Sequence, residues 1–454
     1  MRAAPWMVLA PLLLAGCMQL APRHERPAAP VAASFPNAEA TAAGLAAADL
    51  PWREFFADPG FREPIERALV HNRDLRLAVL NIDAVRAQYE LRRADELPTV
   101  GVGANASRVT SGGGRLSNTY TAGLSVSAYE IDLFGRVRSL SDSAAALVLA
   151  SEEARRTVQV ALVASVANQV LALAADDELL DLTQRTLATR EESLRLTQLK
   201  FDHGAAADPE LRQAQSLVEA ARATLAQQRR QRELDLNALA LLVGQPLPEW
   251  PFDAGRLRRT RLPEVAAGLP SEALLRRPDV RQAELGLVAA EANIGAARAA
   301  FWPRITLTGS AGLASVHLAD LFKGGAWSFA AQVLQPIFDG GRNQANLAAA
   351  QVQREVAVAQ YERAIQAAFR DVADALAGRA TLGEQLRAVQ AQAEAEAARY
   401  RLAELRFNNG LSSSLDLLDA QRSLFATEQA VVQTRLALLQ NRVAVFRALA
   451  GGRV

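Results

Sequence analysis

The stretch that decides the fold runs from Arg342 to Asn409 and reads RNQANLAAAQVQREVAVAQYERAIQAAFRDVADALAGRATLGEQLRAVQAQAEAEAARYRLAELRFNN. It holds no proline and only two glycines. Its apolar side chains recur at steps of three or four residues, on one face of a helix: Tyr361, Ile365, Phe369, Val372 and Leu376. Such a helix spans about 100 Å, roughly three times the hydrocarbon thickness of a bilayer. The stretch therefore predicts one helix far longer than those of ordinary globular domains.

The composition of the whole chain excludes several classes of protein. Its 454 residues carry a net charge of +1 at pH 7, which offers no basic surface for nucleic acid. Long tracts rich in Ala, Gln, Leu, Glu and Arg favour helix. No two histidines have metal-ligand spacing: they are His24, His71, His203 and His317. The sequence therefore predicts a protein that is not an enzyme and holds no metal.

The N-terminal residues predict a cleaved signal and a lipid anchor. Residues 1–16 combine a basic residue with an apolar run, and Leu14-Ala15-Gly16 leads directly into Cys17, the only cysteine of the chain. This pattern resembles the lipobox of bacterial lipoproteins, in which the cysteine is lipidated. An ordinary secretory signal followed by a chance cysteine is the alternative. Met18 stands where inner-membrane lipoproteins carry aspartate, so the outer membrane is the expected destination.

Residues 17–60 begin with an Ala- and Pro-rich segment that predicts an extended, lipid-anchored tether. After Pro98 the period of the pattern changes from helix to strand. Apolar residues alternate with small or polar ones over Val100–Ala106 and Leu124–Ala128, with a Gly-rich loop between them. This alternation matches a hairpin of a transmembrane β-barrel, and a soluble hairpin is the alternative.

The same series of elements occurs twice. Leu97-Pro98 recurs as Trp302-Pro303, and Gly204 recurs as Gly410, with an offset of 205 or 206 residues. Each repeat predicts two strands, one helix of about 70 residues and two helices of about 35 residues. In the first repeat the helices are expected at 61–96, 136–203 and 208–243, with Asp208 as the cap of the third. In the second repeat they are expected at 271–300, 342–409 and 414–448, with strands near 305–313 and 328–337. The predicted divisions are the first repeat at 61–244, a linker at 245–270 and the second repeat at 271–454.

The predicted strands cannot form a complete structure within one chain. Four strands cannot close a barrel, because the smallest bacterial barrels have about eight. Open edges in lipid leave backbone groups without hydrogen bonds, so closure requires other subunits. Three copies would supply twelve strands, although counting alone equally permits a dimer or a tetramer.

Three segments of the chain carry a resemblance to a known family: Tyr129–Arg136, Ile294–Pro303 and Leu415–Leu424. Together with the lipobox and the duplicated plan, they resemble the outer membrane factor family, and within it the TolC/OprM-type lipoproteins of resistance–nodulation–division efflux systems. The resemblance covers nearly the whole mature chain.

This resemblance implies a mainly α-helical fold with a membrane β region. It implies a homotrimer in which a twelve-stranded β-barrel in the outer membrane continues as a twelve-helix α-barrel in the periplasm. The expected partners are outer-membrane lipid, a periplasmic adaptor and an inner-membrane resistance–nodulation–division transporter. The expected function is passive exit of drugs or other small molecules. No cofactor is expected apart from the covalent lipid on Cys17.

The resemblance also implies a site in the long helix. Asp371 and Asp374 are three residues apart and share a helical face. In the family, acidic residues of this kind form rings that narrow the periplasmic aperture, in the manner of charged selectivity rings. A solvated helix face is the alternative. The first repeat has Ser165 and Asn168 at the equivalent positions, so only the second repeat would supply charge.

The two helix ends farthest from the membrane are the second expected site. Gly204 and Ala205 follow the first long helix, and Gly410 and Leu411 follow the second. The family meets its adaptor at these tips, often through a Val-Gly-Leu type sequence that is only partly present here. A glycine after a helix is also an ordinary C-cap.

Two other functions share parts of this pattern. The duct of a type I protein secretion system has the same expected fold. A structural envelope lipoprotein built of coiled coils would use the long helices without conducting anything.

Overall fold

The computed structural model describes residues 19–36, 51–111, 113–264 and 271–449. The predicted signal peptide and the predicted lipidation site at Cys17 lie outside the described residues. The helices are α1 (Trp52–Phe55), α2 (Pro59–His71), α3 (Arg73–Ala94), α4 (Arg136–Asp202), α5 (Asp208–Val243), α6 (Arg256–Arg259), α7 (Pro278–Ala299), α8 (Arg342–Asn408) and α9 (Ser414–Leu449). The strands are β1 (Val100–Ser111), β2 (Arg115–Ile131), β3 (Arg304–Ser315) and β4 (Gly325–Leu334).

The two predicted long helices are confirmed. Helices α4 and α8 each contain 67 residues. The apolar stripe of α8 is buried, since Tyr361, Ile365 and Val372 are at most 1% exposed. Phe369 completes the stripe by stacking on Phe35, with 4.9 Å between the ring centroids. The described residues also include one helix, α4, that could span a membrane by length and composition, and 61% of its apolar window is buried within the chain.

Two predicted single helices are interrupted in the structure. The predicted helix from 61 to 96 is α2 followed by α3, because Asn72 adopts an extended conformation with ψ 133°. The Asn72 side chain accepts a hydrogen bond from the Leu75 amide (2.9 Å) and donates one to the Leu242 carbonyl (2.8 Å). In the second repeat, the predicted helix from 271 to 300 is a 3₁₀ helix, Ser271–Arg276, followed by α7. Pro278 disfavours helical geometry at the residue before it, which explains this second break.

Two predicted element ends are also corrected. Helix α5 takes Ala207 as its N-cap without a side-chain hydrogen bond, so Asp208 lies in the first turn rather than capping it. The last strand ends at Leu334 instead of near residue 337. Pro336 lacks an amide proton and cannot continue the ladder.

The four strands form one antiparallel sheet in the order β1-β2-β3-β4. Register partners share a face, so the pairing sorts the side chains into two sets. One face is apolar and exposed, with Val102 and Trp327 more than 80% exposed. Its members include Val100, Val102, Leu124, Val126, Ile305, Leu307, Trp327, Phe329 and Val333. The other face is small and polar, and includes Asn105, Thr121, Ser125, Thr306, Ser310 and Ser328.

A row of glycines crosses the small, polar face. Gly103 pairs with Gly123, and Gly123 pairs with Gly312. A Cβ atom at Gly123 would lie 2.5 Å from the Ala311 carbonyl oxygen, and one at Gly312 would lie 2.2 Å from that of Ala122. Glycine is therefore required where β2 of the first half meets β3 of the second half.

The chain divides into two compact units that each draw on both halves of the sequence. The strand unit contains the residues up to Ala29 together with Leu80–Glu153 and Arg281–Ala364. The helix unit contains Pro30–Val79, Ala154–Val280 and Ile365–Val454. All four strands lie in the strand unit, and both glycine tips lie in the helix unit.

Candidate functional site

The two tips have the same backbone geometry. Gly204 adopts a left-handed conformation with φ 73°, its amide donates to the Phe201 carbonyl (2.9 Å), and the Ala205 amide donates to the Lys200 carbonyl (2.7 Å). This pair of bonds is a Schellman motif, which glycine favours because it has no Cβ.

The second tip forms the same two hydrogen bonds. Gly410 has φ 71°, its amide donates to the Phe407 carbonyl (3.0 Å), and the Leu411 amide donates to the Arg406 carbonyl (2.8 Å). The C-cap interpretation is therefore confirmed at both tips. It does not exclude a binding role, because the same residues remain accessible.

The structure brings the two tips together. The Lys200 ammonium lies 3.9 Å from the centroid of the Phe407 ring, which is a cation–π contact between the ends of α4 and α8. The tips also expose two large apolar side chains, since Leu411 is 70% exposed and Phe201 is 36% exposed, beside exposed polar residues such as Asp202 and Asn409. The tips therefore form one composite surface made by both halves of the chain.

The predicted acidic pair occupies two different environments. The Asp371 carboxylate lies 2.9 Å from the Arg370 guanidinium and 3.5 Å from that of Arg277, and its side chain is 26% exposed. The Asp374 side chain is 76% exposed, and its nearest cation is Arg370 at 3.9 Å. Although the two aspartates lie three residues apart on one helical face, only the Asp374 side chain is largely exposed to solvent.

Asp371 belongs to an ion-pair cluster at the start of α7. Arg277 binds Asp279 through two hydrogen bonds of 3.0 and 2.7 Å and donates to the Ala448 carbonyl (3.1 Å). Asp371 and Asp374 both lie more than thirty residues before Asn408, about 50 Å along the helix from the tip. The structure does not bring this pair to the tips.

A second acidic pair that the sequence interpretation missed does lie near the tips. Asp416 and Asp419 fall in the first turns of α9, three residues apart like Asp371 and Asp374. Asp416 accepts from the Ser413 hydroxyl (3.0 Å). The signal was present in the sequence, because both residues belong to the segment Leu415–Leu424 that carries the family resemblance.

Asp419 joins the two helices that meet at the second tip. It accepts hydrogen bonds from Arg399 of α8 (2.5 Å) and from Arg422 of α9 (2.6 Å). The bond from Arg399 is the main cause that lowers the pKa of the Asp419 carboxyl, with the bond from Arg422 adding to it. Arg399 also donates to the Ser423 hydroxyl (3.3 Å). We call Arg399, Asp419, Arg422 and Ser423 the tip clasp.

Known proteins share this architecture. The family model described as "Outer membrane efflux protein" matches residues 65–245 and 269–451, once in each half. The "Toluene efflux pump outer membrane protein TtgC" of Pseudomonas putida is 45% identical over 453 residues, covering 97% of this chain and 93% of that protein.

Solved structures of similar chains agree with this match. A membrane protein from Pseudomonas aeruginosa aligns with a TM-score of 0.88 at 40% identity, covering 96% of this chain and 98% of that chain. The open state of the MtrE outer membrane channel of Neisseria gonorrhoeae aligns with a TM-score of 0.85 at 40% identity, with the same two coverages. On the strength of both duplicated halves and of this likeness over nearly its whole length, the chain belongs to the outer membrane efflux protein family and is an outer-membrane efflux channel.

Proposed function

We propose that three copies of this chain form one exit duct, in which twelve strands close a barrel in the outer membrane and twelve helices continue it into the periplasm. The observation that carries the proposal is the four-stranded sheet, which exposes an apolar face and, among the described strands, leaves one edge each of β1 and β4 unpaired. Unpaired edges in lipid cost several kcal/mol per backbone group, so neighbouring copies must supply the partners. Three copies bring the strand number above the minimum of about eight.

The cargo follows from the face that would line the barrel. That face carries Thr, Ser, Asn and Gly in its central rows, as at Thr121, Ser125 and Ser310. A weakly polar lining of short side chains passes molecules by size and does not hold them through charge. One relative is named a toluene efflux pump component. We assign small, largely apolar drugs and solvents as the cargo, moved passively.

The tips are the proposed contact for partner proteins. Gly204, Ala205, Gly410 and Leu411 lie on the composite surface joined by the Lys200–Phe407 contact. Exposed apolar groups on a rigid turn suit a periplasmic adaptor, which would link the duct to an inner-membrane transporter of the resistance–nodulation–division type. Lipidation at Cys17 would add attachment to the membrane, because two or more acyl chains anchor a protein stably.

Two acidic positions have separate proposed roles along the duct. Asp374 is exposed and would contribute a ring of carboxylates partway along the helices, while Asp371 mainly serves the Arg277 cluster. The closable aperture would lie at the tips, where the tip clasp holds α8 to α9. Rings of carboxylates attract cations and resist anions.

Conductance of the purified protein in planar bilayers tests the duct. We expect stepwise currents with cation preference, and a trimer by native mass spectrometry. Asp374→Ala should weaken the cation preference more than Asp371→Ala, because only Asp374 is freely presented. A monomeric protein that gives no current, including after Arg399→Ala loosens the tip clasp, would contradict the duct and favour a structural envelope protein.

A further inference from the structure

The N-terminal segment is docked along a helix rather than hanging free. Residues 19–36 contain no helix or strand, as expected for a tether. Within the strand unit, however, Arg298 of α7 donates to the Leu20 carbonyl (3.0 Å), and Arg26 donates to Glu284 of α7 (2.7 Å). The two contacts therefore join positions six residues apart in the segment to positions fourteen residues apart on the helix.

The spacing of these contacts fits an extended chain lying antiparallel to a helix. From Leu20 to Arg26 the segment advances six residues, while α7 runs back fourteen residues from Arg298 to Glu284. Six extended residues cover about 20 Å, and fourteen helical residues cover about 21 Å. The length of the extended segment between its two contacts is therefore about equal to the length of helix between their partners.

The start of the segment, at Ala21, fits a gap made by glycine. A Cβ atom at Gly295 would lie 2.8 Å from the Cβ atom of Ala21 and 2.7 Å from the Ser139 hydroxyl oxygen. Any larger residue would push the segment off the helix. Gly295 belongs to the segment Ile294–Pro303, which carries part of the family resemblance.

Two carboxylates of α7 also contact side chains of the N-terminal segment. Glu291 of α7 is only 3% exposed at its side chain, and its carboxylate lies 2.8 Å from His24 and 3.3 Å from Arg354. Glu284 is 14% exposed, and its carboxylate lies 2.7 Å from Arg26 and 3.6 Å from His24. Buried carboxylates are costly without a partner. The N-terminal segment therefore supplies both side chains that contact Glu284, which are His24 and Arg26, and one of the two that contact Glu291.

We infer that residues 19–29 are a charge-matched strap, bound by a dedicated groove on α7, and that this groove holds the N-terminal segment in place independently of any lipid on Cys17. The groove consists of Gly295 as the gap, Arg298 as the donor to the backbone, and Glu284 and Glu291 as the carboxylates that contact Arg26 and His24. The occupant is this chain's own N-terminal segment. The strap concerns the N-terminus alone and does not depend on the proposed duct.

Protease protection of the full chain in detergent tests the strap. The endoprotease Glu-C cleaves after Glu25, which lies between the docked side chains of His24 and Arg26, and mass spectrometry follows release of the N-terminal peptide. Arg26→Ala should raise the cleavage rate by about tenfold or more, because a hydrogen bond between charged groups is lost. Arg23→Ala removes an equal charge from an exposed position of the same segment, and should cleave like the wild type.

Two further variants complete the test. Exchanging the charges, with Arg26→Glu and Glu284→Arg together, should restore protection relative to Arg26→Glu alone. Cys17→Ser should leave the rate at the wild-type value. Equal rates for Arg26→Ala and Arg23→Ala would overturn the charge-matched groove. A rate for Cys17→Ser as high as that for Arg26→Ala would show that the lipid holds the segment, and would overturn the inference as well.

Discussion

At the scale of single residues, Asp176 on α4 has an unusual environment. Its side chain is buried, one carboxylate oxygen has no hydrogen-bond partner among the described residues, and it faces Asp235. Asp235 is already bound by Gln169 (2.9 Å) and Gln231 (3.1 Å). Burial, and then the hydrogen bond to Asp235, raise the pKa of Asp176 to about 8. The pair therefore holds a proton at neutral pH.

This proton makes stability depend on pH. The folded pKa of Asp176 lies above the unfolded value of 3.8, so its contribution is fully present below about pH 4 and is lost as the pH rises through about 8. Over this window the free energy of unfolding should fall by at most about 1.4 kcal/mol per pH unit. Asp176→Asn keeps the shape and cannot ionise, so its stability should decline less between pH 4 and 8.

Thermal unfolding of the two proteins across this pH range checks the prediction. Asp177 is the matched control: it is adjacent and equally buried, but Arg232 binds it at 2.7 Å and so compensates its charge. Asp177→Asn should destabilise the protein at pH 7, because it leaves Arg232 without its partner. Parallel pH profiles for the wild type and Asp176→Asn would show that the shared proton is not there.

At the scale of secondary-structure elements, the glycines of α8 and the tips have opposite roles. Gly204 and Gly410 adopt positive φ, where a side chain is strained, so replacing either by alanine should destabilise its tip by about 1 kcal/mol. Gly383 lies within α8 with open space around it, so Gly383→Ala should stabilise by about 0.5–1 kcal/mol. Denaturant unfolding of the three variants measures the change in the free energy of unfolding. A change of the same sign at all three positions would contradict the opposite roles assigned to the tip glycines and Gly383.

The tip clasp gives an element-scale prediction about opening. Its members are partly exposed and screened by solvent, so Arg399→Ala should change the free energy of unfolding little. It should nevertheless increase the current through single channels, because it releases α8 from α9 at the tip. Arg195→Ala near the first tip removes a comparable exposed arginine that binds only Glu192 of its own helix. Equal single-channel currents for Arg399→Ala and Arg195→Ala would show that the tip clasp has no role in gating.

Periodicity predicted the elements of this protein but could not predict contacts between distant parts of the chain. The stripe of α8, the alternation in β1 and the glycine tips are local patterns, and each is found where the sequence placed it. The break at Asn72 depends on Leu242, and one of the two arginines that bind Asp371 is the distant Arg277. The docking of Arg26 on Glu284 likewise joins residues that are 258 positions apart. Such pairs leave no periodic signal in a single sequence.

At the scale of the whole molecule, the two faces of the sheet should tolerate charge differently. Phe329 lies on the apolar face of β4, and Gln332 lies on the opposite face. Arginine in contact with lipid costs about 2–4 kcal/mol near the middle of the membrane, whereas a lumen position costs little. Phe329→Arg should therefore reduce the yield of assembled trimer, and Gln332→Arg should not. The amount of trimer in outer-membrane extracts, read on gels without heating, checks this. An equal loss of trimer for both variants would contradict the assignment of the apolar face to lipid.

The glycine row across the sheet determines at which position a substitution can narrow the assembled duct. Gly123 and Gly312 cannot accept a side chain, because neighbouring backbone lies too close, whereas Gly103 in the same row faces open space. A large residue at Gly103 would therefore keep the fold and project from the wall once per copy. Gly103→Trp should lower single-channel conductance while Gly103→Ala leaves it nearly unchanged. The width of the passage at this level would then be set at one position, in a row whose other members are Gly123, Gly312 and Ala326.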